Sequence, residues 1–162
     1  MQFWPAIRTL VLVAIVALPW PQPVSACPNP PQPELPRSPL LIETATGRHG
    51  FSVEIARSAT EQACGLMLRQ RLGHGEGMLF VYQPPREAWM WMHNTPIPLD
   101  MIYVAPNGRI VHIIPDTTPF SMETLGTHET VSGVLEVRAG TAARLGIRVG
   151  DRVRHQAFGV GG

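Results

Sequence analysis

The sequence predicts a mainly β fold with two short helices (α+β), a compact single-domain β-barrel or sandwich. Three observations carry this expectation. Eight short apolar or alternating runs are punctuated by Gly, Pro, Asn and Asp. Only two segments carry helical signals. The chain has 162 residues, the length of one domain.

Taken in order, Leu40 to Glu43 and Phe51 to Ala56 read as strands on either side of a Thr-Gly-Arg-His-Gly turn. Ser58 and Glu61 then form a capping box, in which each side chain satisfies a backbone N–H of the other's position. The helix they open is expected to reach about Leu68 and to turn Ala63, Leu66 and Met67 inward. Strands follow at Gly77 to Tyr82, Ala88 to Met92, Leu99 to Val104 and Arg109 to Ile114. Pro106-Asn107-Gly108 joins the last two as a hairpin, because Asn-Gly tolerates the positive φ of tight turns. Val131 to Val137 is the next strand. Gly140 to Leu145 is a short helix ended by Gly146, and Asp151 to His155 is a closing strand.

Charge excludes several function classes. The 13 basic and 12 acidic residues are dispersed, so no basic stripe marks a nucleic-acid partner. All 13 basic residues are arginine. Without lysine there is no Schiff-base nucleophile and no lysine-dependent phosphate loop.

Residues 1–26 read as an export signal. Arg8 supplies the positive end, Leu10 to Leu18 an apolar run too short to span a bilayer, and Val24-Ser25-Ala26 small residues before Cys27. A periplasmic or secreted location follows. Val-Ser-Ala-Cys is also a lipoprotein-like signal, which would attach the chain to a membrane through Cys27. The polar, proline-bearing spacer favours plain cleavage. Residues 27–38 read as a proline-rich linker, 39–155 as the folded domain and 156–162 as a frayed tail. Cys27 and Cys64 are the only cysteines of the mature chain, and their pairing is left open. Cys64 alone reads as a small buried side chain.

A series of ordered blocks then carries a family resemblance. They are Arg57-x-x-x-Glu61, Gly65-Leu66-Met67-x-Arg69, Gly77-Met78-Leu79-Phe80 and Trp91-Met92-x-Asn94-Thr95-x-x-Pro98-Leu99-Asp100. Gly108-Arg109-Ile110, Val134-Leu135-Glu136, Ala139-Gly140, Gly146-Ile147 and Gly150-Asp151 complete the set. The chain resembles the family called domain of unknown function 192. That implies a compact, mostly β domain, often exported in bacteria, and no particular reaction. Where relatives often have Phe and a basic residue around the Trp-Met pair, this chain has Met90 and His93.

The elbow from Trp91 to Asp100 holds the candidate site. Arg69, Trp91, Met92, Asn94, Thr95 and Asp100 are expected to form a small-molecule site for a sugar, a peptide or a small anion. Trp91 would be its platform and Arg69 the partner of Asp100. The plainer reading makes Trp91 and Met92 core and Asp100 a turn-fixing group. An enzymatic alternative pairs Asp100 with Asp116 and uses His93 or His112 as proton carrier. A minor alternative is Cu(I) held by Met90, Met92 and His93. No cofactor is expected, and oligomeric state is not legible.

Overall fold

Alternation along the strands gives this sheet two apolar faces, and that sets the architecture. The computed structural model describes residues 27–28 and 30–159, so the expected export signal lies outside the described residues. Its strands are β1 (Arg37–Thr44), β2 (Gly47–Ala56), β3 (Glu76–Met90), β4 (Leu99–Val104), β5 (Ile110–Ile114), β6 (Leu125–Arg138) and β7 (Arg152–Arg154). Two short helices, α1 (Ala59–Cys64) and α2 (Thr141–Leu145), complete a single compact, mostly β domain.

The strands form one sheet in the order β5-β4-β6-β3-β2-β1-β7. All pairs are antiparallel except β2 and β3, whose parallel pairing requires a crossover; that crossover carries α1. The sheet curls as a half-barrel until its two edges meet. There Ile110 N donates to Asp151 O at 2.8 Å and Val153 N donates to Gly108 O at 2.7 Å.

Leu79, Val81, Ile102, Val104, Leu135 and Val137 point to one face, into a core shared with Ile42, Val53 and Val153. Met78, Phe80, Tyr82, Met101, Tyr103 and Val134 point to the other, beneath Leu66 and Met92. Every residue of β4 is therefore buried. The hairpin at Pro106-Asn107-Gly108 joins β4 to β5 as expected, with Gly108 at φ 81°.

Several boundaries differ from expectation, each for a physical reason. The capping box forms: Glu61 N donates to Ser58 Oγ at 3.2 Å, and Ser58 N donates to the Glu61 carboxylate at 2.8 Å. Yet α1 stops at Gly65, not near Leu68. Gly65 has φ 46°, and a Cβ there would come within 3.1 Å of the Phe80 ring. Leu66 and Met67 are buried beyond the helix end, while Ala63 is only partly buried. Residues 77–82 and 88–92 were expected as two strands. They form one strand ending at Met90, whose register shifts absorb the Gln83-Pro84-Pro85 interruption.

Residues 27–38 are not a free linker. Cys27 is disulfide-bonded to Cys64, Gln32 Nε2 donates to Gly65 O at 2.9 Å, and Arg37 and Ser38 already belong to β1. At the other end, Gln156 to Phe158 form a 3-10 turn with Phe158 buried, so the expected frayed tail is packed as far as that residue.

Candidate functional site

The elbow that follows β3 is held from two sides. Leu68 N donates to Asn94 O at 2.8 Å, and Phe120 N donates to Thr95 O at 3.1 Å. Met92 N donates to Ser121 O at 3.1 Å. Asn94 takes φ 54°, a left-handed conformation that Asn accepts more readily than most residues. This scaffold leaves Trp91 half exposed, at 50%, with its ring centroid 5.1 Å from that of His93. Trp89, 47% exposed, lies over Gly126, where any Cβ would collide with the indole.

Between these rings and α1 runs a cleft of about 610 Å³, within the range of small-molecule sites. Trp89, Met90, Trp91, His93 and Asn94 line one side, and Ala59, Gln62 and Ala63 the other. Tyr82 and Arg86 stand at its wall, with the guanidinium 4.4 Å above the phenol ring. The Tyr82 hydroxyl donates to Met90 Sδ at 3.4 Å. Burial, with a smaller contribution from Glu136, pushes that hydroxyl up to about 12.

Met90, Trp91, His93, Met67 and Phe80 also line a narrower crevice of about 30 Å³ behind the cleft, together with Thr95 and Glu136. Glu136 is 4% exposed. Burial pushes its carboxyl up to about 8, with no hydrogen bond or cation among the described residues to offset it. At neutral pH it is mainly the uncharged acid. His93 Nδ1 is buried with no partner among the described residues.

The predicted site residues separate. Trp91 and Asn94 line the cleft, and Thr95 lines only the inner crevice. Met92 is fully buried, accepting from Thr117 Oγ1 at 3.2 Å, and lines neither. Asp100 is 0% exposed and accepts from Asp116 N at 3.0 Å, Gly140 N at 3.1 Å and Ala142 N at 2.8 Å. Strand parity explains this: Leu99 and Met101 face the cleft side, so Asp100 faces α2. Arg69 does not meet Asp100. It pairs with Glu54 at 3.0 Å instead.

The alternative sets do not converge either. Asp116 meets Asp100 only through its backbone N–H, and the His112 ring lies tilted beside Tyr103, its centroid 5.5 Å away. Met90 and His93 share the cleft, but Met92 points away from it. Sequence reasoning missed Glu136. Its signal was a lone carboxylate inside the apolar run from Val134 to Val137.

The family described as "Uncharacterized ACR", domain of unknown function 192, matches residues 41–155. The chain belongs to the domain of unknown function 192 family. No curated protein matches it. Among solved structures, a Novosphingobium aromaticivorans protein of unknown function is 41% identical with a TM-score of 0.74, covering 86% of this chain and 94% of that one. A Sinorhizobium meliloti protein described as "a putative transcription regulator" is 35% identical with a TM-score of 0.75, covering 78% of this chain and 98% of that one. Within the domain of unknown function 192 frame, the blocks noted in the sequence serve different ends. Gly65 ends α1, Asp100 anchors α2, and Trp91 and Glu136 open on the cleft and its crevice.

Proposed function

We propose that this member of the family is an exported ligand-binding module, and that its cleft takes a small molecule with a flat apolar or sugar-like ring. The observation that carries the reading is the pair of half-exposed indoles, Trp89 and Trp91, beside a cleft of about 610 Å³. A large aromatic ring left half in water, on a backbone held from two sides, suits stacking against a ligand. Asn94 and His93 supply directional polar contacts at the same wall. Export is supported by the Cys27–Cys64 bridge, since disulfides persist in oxidising compartments. The same bridge favours plain cleavage over lipidation, because one sulfur cannot carry both a disulfide and a thioether-linked lipid.

The test is a thermal-shift screen of aromatic and sugar ligands on the mature domain, with Trp91→Ala in parallel. A ligand raises the melting temperature of the parent by mass action and raises that of the variant less. A shift of equal size in both proteins, or none with any ring-bearing compound, overturns the reading.

A further inference from the structure

Two buried glutamates lie in one cross-strand row. Glu54 is in register with Met78, Met78 with Glu136, and Glu136 with Met101. Their surroundings differ sharply. Glu54, 1% exposed, receives Arg69 Nη2 at 3.0 Å and Leu35 N at 2.8 Å, with Arg37 Nη2 at 3.6 Å. Glu136 has a methionine on either side and no donor among the described residues. An apolar residue between two methionines would avoid the cost of burying an unpartnered carboxyl. A local rule broken in this way, where a crevice opens onto a cleft, marks a group that acts on something else.

With Glu136 ionised and the His93 ring hydrogen on Nε2, the free hydrogen-bonding capacity of the crevice is all acceptor. The Gln62 amide N–H groups already donate to Val81 O at 2.8 Å and Arg57 O at 3.2 Å, which leaves its oxygen free. The Thr95 hydroxyl donates to His93 O at 3.3 Å, which leaves its lone pairs. The unpartnered His93 Nδ1 accepts when the ring hydrogen is on Nε2. The walls are Phe80, Trp91 and Met90, and about 30 Å³ admits one small group. A small group with several donors, no acceptor and an affinity for aromatic faces is an ammonium.

We propose that the crevice binds the ammonium group of a primary amine, with the Glu136 carboxylate as its counter-ion and the rest of the ligand stacked on Trp91. This rests on the cleft reading and names its ligand class. Besides Glu136, the titratable group lining the crevice is His93 from the elbow, while Tyr82 from β3 and Tyr103 from β4 lie outside it but near enough to feel the Glu136 charge. From α1, Gln62 and Ala63 line the crevice. Burial raises both tyrosines, so they stay neutral across the working range.

The experiment titrates the mature protein with 2-phenylethylamine and, as the neutral match, 2-phenylethanol, following tryptophan fluorescence. Binding selects the ionised form of a carboxyl that titrates at about 8. Between about pH 6 and about pH 8 the amine should therefore bind roughly fiftyfold more tightly, while the alcohol barely changes. Glu136→Gln should abolish both the slope and the preference for amine. His93→Gln, which removes the imidazole acceptor, should weaken binding and keep the slope. Equal, pH-independent binding of both compounds, lost in Trp91→Ala, overturns the ammonium site and leaves the cleft reading standing. Failure of the amine to bind overturns the ammonium site, and the thermal-shift screen then decides the cleft separately.

Discussion

Glu136 makes a prediction about stability that needs no ligand. Its carboxyl titrates at about 8 in the folded protein against 4.5 in the unfolded chain. Between those values the native state holds a proton that the unfolded state has released, so stability falls as pH rises. The penalty is absent below the unfolded value and complete above the folded one, where it reaches about 5 kcal/mol. From pH 5 to pH 8 the loss is roughly 3 to 4 kcal/mol by the same relation. His155 acts in the opposite direction at its own lower range, since burial and the Arg57 charge lower it. Comparing the parent with Glu136→Gln and Glu136→Met cancels that contribution. Urea denaturation across this range, read by fluorescence, should show the variants losing less stability than the parent. Glu136→Met, which continues the row of Met78 and Met101, should be the more stable protein at pH 8, by on the order of 3 kcal/mol. Parallel pH curves for parent and both variants would refute the claim that this carboxyl is buried without a partner.

Other perturbations separate scaffold from site. Asp100→Ala removes the acceptor of three backbone N–H groups, and should cost about 3 kcal/mol and lower the melting temperature by on the order of 10 °C. The folded variant should bind cleft ligands as the parent does, as titration would show. Replacing both Cys27 and Cys64 with serine frees a loop with a sequence separation of 37, and should cost up to about 4 kcal/mol in thermal melts. Thiol titration of the unfolded, unreduced parent should find no free cysteine. Ser58→Ala should cost about 1 kcal/mol by loss of the cap. Hydrogen bonds from Ser58 N and Arg57 N hold the Glu61 carboxyl below its ordinary value. Its share of stability is thus present above the unfolded value and lost as pH falls through the folded one, which acid melts would register.

Much of the fold was legible because strands covered on both faces read as near-continuous apolar runs. Leu99–Val104 and Val131–Val137 were readable for that reason. The polar beginning of β6, from Gly126 to Thr130, carries no alternation, because it pairs only with the exposed end of β3. Gln83-Pro84-Pro85 looked like a turn between two strands, since sequence cannot show that a bulge will absorb it. The site was half legible. Trp91 and Asn94 were found from their chemistry, whereas Arg69 and Asp100 were paired on opposite charge alone. Strand parity turns Asp100 to the backbone at α2, while Arg69, on the loop after α1, pairs with Glu54. The cysteine pairing had no local signal, because a separation of 37 residues fixes no distance before the chain folds.

The elbow is as chemically varied as it is because it performs two tasks in one short stretch. Backbone bonds from Leu68, Met92 and Phe120 fix its path, so Trp91 is positioned without being buried. A platform set in advance loses little conformational freedom when a ligand arrives, which leaves more of the stacking energy as affinity. Its other end, at Asp100, gathers the N–H groups that begin α2, so this acid stabilises the scaffold and takes no part in the cleft. The acid that faces the cleft's crevice comes instead from β6, a strand central to the sheet, where a carboxyl is hardest to bury and easiest to hold still. Arg69 and Arg37 already converge on Glu54 in the same cross-strand row. This fold can therefore neutralise a buried glutamate with its own side chains, and at Glu136 no described side chain takes that place, which is the place of the proposed ammonium group.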